Sequence, residues 1–352
     1  MTNNFRKVNV LRSEWDLPEC YDNLNFSRRS AFGIFCEGFD KRKKLCVEIK
    51  RWSNLSNSET IKKALRELKM LKHLSHKNIV SYLNSFYVNT KLYIVTEVMH
   101  DNLNNIIRAQ RLQSDDIRYI IFQITNALNY LHTCGIVHGD LKPSDIGINK
   151  DMSIKLIDLN AEQPKETDYV LTKWYRAPEL LFAWKSATER VDLWSLGCIM
   201  AEFLCGRIIF AGRDHLQQLK LILELVGTPS KDFFNPSCHF CILTQNLMTG
   251  EKYVRSLPYF RKKSFRRAFD ECNDDDTLDF LERLLILEPM ERNDIKQALK
   301  HPYFKKFPQD DIDNVPKMSF EEIYNDGNGD ANVDDDKGNW INLIRENVEI
   351  KD

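Results

Sequence analysis

The stretch HGDLKPSDIGINKDMSIKLIDLN, residues 138–160, has an aspartate near each end and an apolar hairpin pattern between them. Ile146 and Ile148 alternate with other residues before the turn-like sequence at 149–151, and the same spacing continues after it. This pattern predicts two short strands joined by a turn. Because a hairpin reverses the chain, Asp140 and Asp158 are expected at the same end of it. Two carboxylates so placed can hold magnesium and orient a nucleophile.

The composition bounds the class of protein. The chain has 352 residues, of which 43% are hydrophobic, and its formal net charge is −1. Length and apolar content predict about two lobes with a packed core. The near-neutral charge gives no general electrostatic reason to bind nucleic acid or an anionic membrane. The sequence contains neither a secretory signal nor an apolar run of about 18 residues, so no membrane span is expected.

The cysteines indicate a reducing compartment. They number nine, an odd count, and they are scattered along the chain, which is typical of free thiols and not of a disulfide framework. Cys238 and Cys241 have the spacing of zinc ligands, but no second such pair follows, so surface thiols are the favoured interpretation.

Periodicity divides the chain into a strand-rich part followed by a helical part. Short apolar segments rich in β-branched residues predict strands at 45–50 and 92–99, and helical spacing predicts a helix at 59–74 between them. From residue 114 onward the patterns are mainly helical, with Ser114 as the predicted N-cap of the first long helix. Further apolar helices are predicted at 194–204, 215–227 and 275–287.

The acidic segment at 325–338 matches the calcium-loop pattern only in part. Its oxygen-bearing residues alternate, but Ala331 and Lys337 stand where the loop requires glycine and glutamate. A solvated acidic loop is therefore the favoured interpretation.

The order HxDLKP, hairpin, second aspartate resembles the catalytic loop of protein kinases. Other stretches extend the resemblance to the mitogen-activated protein kinases, especially the stress-activated (p-thirty-eight) type, over about residues 5 to 350. They are WDLPECYDNL (15–24), LYIVTEVMHDNLNNI (92–106), KWYRAPEL (173–180) and VDLWSLGCIMAEFLCGRIIFAG (191–212). The resemblance implies an α+β, bilobal protein kinase fold, with a small β-rich N-lobe carrying one key helix and a larger, mainly helical C-lobe.

The resemblance also implies domain boundaries. It predicts an N-terminal extension at 1–23, a kinase domain at 24–304, and a C-terminal extension at 305–352 that packs back on the N-lobe. Within the kinase domain it predicts an N-lobe at about 24–97, a hinge at 97–102, a C-lobe at 103–304 and a MAP-kinase-type insert at about 228–262.

Catalytic roles follow from the resemblance, residue by residue. Asp140 is implied as the catalytic base and Lys142 as the residue that steadies the transferred phosphate. Asp158 is implied as a magnesium ligand, and Asp145 replaces the asparagine that holds the second metal. The implied ATP-binding residues are Lys50, its partner Glu67, Gly33, Arg28, Phe35, Glu48, Thr96 and Met99.

Structural roles are implied for three other residues. Glu179 is expected to pair with Arg292 in the helical lobe, and Asp192 is expected to brace the catalytic loop.

Several residues depart from the family pattern around the nucleotide. Of the three loop glycines only Gly33 remains, with Arg28 and Ser30 in the other two places. Strand alternation puts Glu48 on the same face as Lys50, where the family has a small alanine. A carboxylate there costs several kcal/mol unless it is paired. Folding onto Lys50 or Arg28 would pair it.

Three more departures concern the adenine and the catalytic loop. Phe35 stands where a valine covers the base, Gly139 replaces an arginine that helps to hold phosphothreonine, and Asn160 replaces the glycine of the DFG triplet.

Regulation is implied by Thr167 and Tyr169, which match the dual phosphorylation motif of the family. The cations that would receive the two phosphates are Lys63, Arg66, Lys173 and Arg176, and an acidic docking patch is implied at Asp310, Asp311 and Asp313. The implied partners are an upstream dual-specificity MAP kinase kinase, and substrates and phosphatases with basic docking motifs. A monomer in the cytoplasm and nucleus is expected, without nucleic acid or membrane partners.

Two functions remain open at this stage. The first is a serine/threonine kinase with ATP and Mg²⁺, directed to Ser/Thr-Pro sites in a stress-type cascade, with a degenerate nucleotide site and weak activity. The second is a pseudokinase that acts by docking or scaffolding. A small-molecule kinase is disfavoured, because the TDY and KWYRAPE stretches are specific to protein kinases.

Overall fold

The computed structural model describes residues 4–30, 32–52, 55, 58–109, 112–159, 173–182, 188–234, 245–308 and 337–349, with 231–232, 245–250 and 337–339 described by backbone alone. The chain divides into two units. The first is Met1–His100 with Met318–Asp352, and the second is Asp101–Lys317. No described helix is long and apolar enough to cross a membrane.

The first unit is built on a five-stranded antiparallel sheet in the order β3-β4-β5-β7-β6. A separate hairpin of β1 and β2 precedes it. The strands are β1 (Phe5–Val10), β2 (Ser13–Pro18), β3 (Tyr21–Arg29), β4 (Gly33–Asp40), β5 (Leu45–Trp52), β6 (Tyr82–Val88) and β7 (Lys91–Glu97). The predicted strands at 45–50 and 92–99 are confirmed as β5 and β7.

Aromatic packing joins the β1–β2 hairpin to the sheet. The ring of Tyr93 lies 4.7 Å from that of Phe86 and 5.7 Å from that of Trp15, measured between centroids. The Tyr93 hydroxyl also accepts a hydrogen bond from the backbone N–H of Asp16 at 3.0 Å. Since all three rings are fully buried, they form the centre of this core.

Helix α1 (Ser58–His73) confirms the predicted helix of the first unit. Its apolar residues at helical spacing are buried, and Glu67 is buried with them. The C-terminal helix Lys337–Asn347 packs on α1. There Lys72 Nζ donates to the backbone oxygen of Asn347 at 2.9 Å, and the Lys62 ammonium lies 4.6 Å from the Trp340 ring. The far end of the chain therefore helps to fix the helix that carries Glu67.

The second unit is mainly helical, as predicted. Its small sheet has the order β10-β9-β8, with strands β8 (Asp101–Asn102), β9 (Ile146–Ile148) and β10 (Ile154–Leu156). Its α-helices are α2 (Leu103–Ala109), α3 (Ser114–Thr133), α4 (Pro178–Leu181), α5 (Arg190–Cys205), α6 (His215–Val226), α7 (Gln245–Ser256), α8 (Phe265–Ala268), α9 (Asp275–Leu284) and α10 (Ile295–Leu299).

The start of α3 corrects one prediction. Ser114 is already helical, and the N-cap position belongs to Gln113. The backbone N–H of Gln113 donates to the Asp116 carboxylate at 3.1 Å, so the first turn is closed by an acidic side chain inside the helix. Gly135, placed after the helix end, has φ +76, a left-handed conformation that glycine adopts without steric strain.

A buried ion pair joins α4 to the end of the helical unit. Arg292 donates from both terminal nitrogens to the Glu179 carboxylate, at 2.7 and 3.1 Å, which confirms this predicted pair. Its guanidinium also donates to the backbone oxygens of Arg190 and Ile286. Both side chains are at most 2% exposed. Removal of either partner would therefore leave the charge of the other buried in the core without a counterion.

We expect Glu179→Ala to lower the free energy of unfolding by about 3–5 kcal/mol, because it leaves the Arg292 charge buried without its counterion. Urea denaturation of wild type and variant measures the difference. Glu251→Ala, which breaks the more exposed pair with Arg255 on α7, is the control and should cost less than about 1 kcal/mol. Equal effects for the two substitutions would contradict the structural role of the buried pair.

Candidate active site

Lys50 and Glu67 form a buried ion pair in the first unit. The Lys50 ammonium lies 2.6 and 2.8 Å from the two carboxylate oxygens of Glu67, and both side chains are 5% exposed. The pair ties β5, in the middle of the sheet, to α1. Such burial distinguishes this pair from an ordinary surface ion pair.

Arg28, Phe35 and Lys50 form a row across three neighbouring strands. Phe35 on β4 is directly opposite Arg28 on β3 and Lys50 on β5, so the three side chains share what we call the Lys50 face of the sheet. The Arg28 guanidinium lies 3.5 Å from the Phe35 ring centroid, and the Lys50 ammonium lies 5.3 Å from it. Phe35, with only 3% exposure, is thus covered by cations.

Glu48 also lies on the Lys50 face and is paired with Arg28. The closest distance between their charged groups is 3.0 Å, and a second Arg28 nitrogen donates to the other carboxylate oxygen at 3.3 Å. The Ser27 hydroxyl donates to the same carboxylate at 3.3 Å. Of the two partners expected for Glu48 from the sequence, Lys50 and Arg28, the structure shows Arg28 bound to it. The exposed Glu37 is directly opposite Glu48, so it adds a second carboxylate to this face.

Ser30 binds the backbone amides of the residues that follow it. Its hydroxyl accepts hydrogen bonds from the N–H groups of Phe32 and Gly33 at 3.3 and 3.2 Å. Gly33 is close-packed, since a Cβ atom there would lie 2.8 Å from the backbone oxygen of Arg51. The amides that a glycine-rich loop offers to phosphates are therefore occupied by a side chain of the chain itself.

The two remaining predicted nucleotide residues lie on and after β7. Thr96 is opposite Glu48 in the β5–β7 pairing and is half-buried. Met99 follows the end of β7 and is also half-buried.

The predicted hairpin of the second unit is confirmed, with Ile154 opposite Ile148 and Leu156 opposite Ile146. Asp192 braces the catalytic loop, as predicted. Its carboxylate accepts the backbone N–H groups of His138 and Gly139 at 2.9 and 2.8 Å. Burial opposes ionisation of Asp192, but the hydrogen bonds from His132 and the Gly139 backbone, together with the electrostatic effects of His132 and His138, outweigh it and lower the Asp192 pKa. Gly139 has φ +77, a conformation that favours glycine.

Lys142 holds the carboxylates of the catalytic loop together. Its ammonium lies 3.1 Å from Asp140 and 2.8 Å from Asp145. Burial raises the pKa of Asp145 to about 7; Lys142 opposes this rise, and the charges of Asp158 and Asp140 add to it. Burial alone would lower the pKa of Lys142, but the neighbouring carboxylates, Asp145 first, raise it above its usual value.

Buried Asp145 and Asp158 fit a role in holding a hard divalent cation. Their carboxylate oxygens are the donors that Mg²⁺ prefers. Burial is the main cause of the raised Asp145 pKa, and a cation would offset the repulsion from Asp158 and Asp140 that adds to it. Among the described residues, no three histidine, cysteine, aspartate or glutamate side chains can hold a metal by themselves. Mg²⁺ is commonly held by one or two carboxylates together with waters and phosphate oxygens, which is the number of carboxylates that Asp145 and Asp158 supply.

The predicted phosphate anchors have other contacts in this structure. Arg176 Nε lies 3.5 Å from the carboxylate of Asp140, and the Lys63 ammonium lies 4.7 Å from the Phe32 ring. Arg66 and Lys173 are half-buried. Several predicted features lie outside the described residues and stay predictions: Thr167, Tyr169, Asn160, Asp310, Asp311, Asp313, Cys238, Cys241 and the acidic segment up to 336.

Three features of the site were not predicted from the sequence. Arg28 and Phe35 were noted separately, and only the β3–β4 register brings them together. Glu37 could have been found, because it is two residues from Phe35 in the same strand. The contact between Arg176 and Asp140 had no local signal, since the two are far apart in sequence.

Comparison with known proteins places these observations in a family. A model of the protein kinase domain matches residues 29–304. The mitogen-activated protein kinase p38b of Drosophila melanogaster is 37% identical over 316 residues, which cover 86% of this chain and 84% of the relative. Mitogen-activated protein kinase 14 of Xenopus laevis is 37% identical over 332 residues, covering 90% and 89%. The p38a kinase of Drosophila melanogaster is 34% identical over 339 residues, covering 92% and 90%.

The interaction between Arg28 and Glu48 should be measurable as a coupling energy. A double-mutant cycle of Arg28→Ala and Glu48→Ala, followed by urea denaturation, should give about 1–2 kcal/mol, because both side chains are mostly buried. The exposed pair Lys7–Glu14 in the same unit is the matched control and should show no measurable coupling. A coupling for Arg28 and Glu48 as small as that of the control would show that their ion pair does not form in solution.

Proposed function

This chain belongs to the protein kinase family, as a divergent p38-like mitogen-activated protein kinase, and we propose that it is a serine/threonine kinase whose nucleotide binding is opposed by its own side chains. The proposed reaction transfers the γ-phosphate of ATP to serine or threonine hydroxyls of proteins, preferably those followed by proline. Turnover is proposed to be slow, because nucleotide must first displace the contacts of Arg28.

The observation that carries the catalytic proposal is the arrangement of Asp140, Lys142 and Asp192. Asp140 would accept or orient the proton of the substrate hydroxyl, and its loop is held by the hydrogen bonds to Asp192. Lys142, now between Asp140 and Asp145, would offset the charge of the transferred phosphate. Phosphoryl transfer depends chiefly on such positioning and charge neutralisation. Mg²⁺ held by Asp158 and Asp145 would neutralise charge on the ATP phosphates.

The Lys50–Glu67 pair supports the same proposal. Lys50 is the residue that would hold the α- and β-phosphates, and Glu67 fixes its ammonium group in place.

The weakness of nucleotide binding is proposed from the other contacts on the Lys50 face. Arg28 stacks on Phe35 and bonds to Glu48, so bound nucleotide would have to break both interactions. A cation–π contact with a partly buried ion pair contributes about 1–3 kcal/mol, which is about 5–150-fold in affinity. The Ser30 hydrogen bonds to the loop amides oppose phosphate binding further.

A pseudokinase is the second candidate, and the same Arg28 contacts favour it. If they are never displaced, the chain would act by docking or scaffolding with little or no ATP turnover.

Regulation is proposed from the family resemblance together with the position of Arg176. Phosphates added to Thr167 and Tyr169 by an upstream dual-specificity kinase would need cationic partners. Arg176 now lies 3.5 Å from Asp140, so a phosphate that attracted it would weaken its contact with the catalytic carboxylate.

Thermal unfolding with increasing MgATP separates the two candidates. The kinase proposal predicts a saturable rise in melting temperature for wild type, and a larger rise for Glu48→Ala, because a ligand that binds the folded state stabilises it. Glu14→Ala changes an exposed carboxylate of the same unit and should respond as wild type does. A shift in Glu48→Ala with none in wild type would instead support the pseudokinase.

Catalysis by Asp140 is tested with the phosphorylated protein and a Ser-Pro peptide. Asp140→Asn should lower the rate of phosphate transfer by about 10²–10⁴-fold, the usual contribution of a general base. Glu251→Ala, on α7, should keep the wild-type rate. Equal rates for Asp140→Asn and wild type would show that the activity does not come from this site, and a Ser-Ala peptide used equally well would remove the proposed preference for proline.

A further inference from the structure

A cavity of about 1010 Å³ lies in the second unit, apart from the catalytic loop. Its walls are the end of α5, the loop after it, α6, and the segment from Arg261 to Phe269. None of the predicted catalytic, nucleotide, phosphate-anchor or docking residues lines it.

Backbone hydrogen bonds fix the walls of this cavity. The N–H of Lys263 donates to the backbone oxygen of Leu225 at 2.9 Å, and the N–H of Thr228 donates to that of Phe260 at 3.0 Å. Gly227 lies at the closest approach, with φ +93, and a Cβ atom there would lie 3.1 Å from the Lys262 nitrogen. These hydrogen bonds fix the segment at 260–263 against the end of α6, so a ligand would not have to order this wall of the cavity.

The rim of the cavity has an excess of positive charge. It has five cationic side chains and one carboxylate, namely Arg207, Arg261, Lys262, Lys263, Arg267 and Glu224. Glu224 is paired with Lys220 in the same helix, and Lys262 is paired with Glu282.

The other four cations have no ion pair within the part of the chain that the structure describes. Arg207, Arg261, Lys263 and Arg267 are all exposed, so their charges are available to a ligand.

The floor of the cavity is apolar. It includes the side chains of Ile209, Phe210, Leu221, Leu225 and Phe269. Phe210 and Phe269 belong to the packed core, at 1% and 5% exposure, so their ring faces are not open to stacking by nucleic acid bases. The apolar surface that a ligand can contact is that of the half-buried Ile209 and Leu221. An apolar floor with a cationic rim fits a chain that carries both apolar and acidic groups.

We propose that this cavity, the basic cavity, binds an acidic segment of a partner protein, with one or two apolar side chains on the floor and flanking carboxylates or phosphates at the rim. This site is independent of ATP turnover. Its charge is opposite to that of the predicted aspartate patch for basic motifs, so it would recruit a different set of partners.

Fluorescence anisotropy tests the proposal on the full chain, with the labelled peptide DEELFDEE as the probe. We expect saturable binding that weakens with salt, since charge pairs at an exposed rim are screened. Replacing Leu-Phe in the peptide by Ser-Ser keeps its charge and should weaken binding at least ~10-fold through loss of the apolar contact.

Charge reversal locates the binding. The double substitution Arg261→Glu with Lys263→Glu should weaken peptide binding at least ~10-fold, because it replaces two unpaired cations at the rim by carboxylates. Lys150→Glu with Lys300→Glu makes the same change of net charge at exposed positions elsewhere in the unit and should bind as wild type does. Equal weakening by the two doubles, or no effect of the Ser-Ser change, would overturn the proposal.

Other ligand classes are tested with the same variants. The double variant with Arg261→Glu and Lys263→Glu is the cavity variant, and the one with Lys150→Glu and Lys300→Glu is the control variant. A single-stranded oligothymidine, or vesicles containing phosphatidylserine, should bind no more weakly to the cavity variant than to the control variant. If either probe binds wild type more tightly than the acidic peptide does, and loses binding only in the cavity variant, the partner class proposed here is wrong.

Discussion

The ammonium group of Lys50 is fixed 2.6 Å from the buried carboxylate of Glu67, and this pairing determines which charges the other side chains on the same face of the sheet must balance. Since Glu67 already neutralises Lys50, the neighbouring Glu48 needs a different counterion, because an unpaired carboxylate that is only 12% exposed is costly. Arg28 is the cation within reach, and Phe35 provides the surface on which its guanidinium lies. The result is a neutral set of two ion pairs around one aromatic ring.

This arrangement shows how three departures from the family pattern are accommodated together in one folded sheet. Arg28 in place of a loop glycine, Phe35 in place of a valine and Glu48 in place of an alanine are the departures from the family pattern on which the proposal of weak nucleotide binding rests. In the structure their side chains contact one another: Arg28 offsets the charge of Glu48, and the ring of Phe35 contacts the Arg28 guanidinium. In the catalytic loop of the second unit, Asp192 accepts hydrogen bonds from two backbone N–H groups and Lys142 donates one to Asp145.

Reasoning from the sequence was most successful where a local pattern decides the outcome. The hairpin around residues 149–151 and the helix that carries Glu67 were predicted, because periodicity and turn chemistry are local properties. The Glu179–Arg292 pair joins residues 113 positions apart and was expected only from the family resemblance. The choice between Arg28 and Lys50 as the partner of Glu48 could not be made, since it depends on strand register and on Glu67 already occupying Lys50. The contact of Arg176 with Asp140 and the basic cavity depend on tertiary packing, which no local pattern records.

The most direct measurement is a thermodynamic cycle of MgATP affinity, by calorimetry, for wild type, Arg28→Gly, Glu48→Ala and the double variant. If the ion pair opposes nucleotide, each single substitution should strengthen binding by about 5–150-fold, and the double should gain little beyond either single, because either change removes the same interaction. Single variants that bind MgATP no better than wild type would contradict the claim that Arg28 and Glu48 control nucleotide binding.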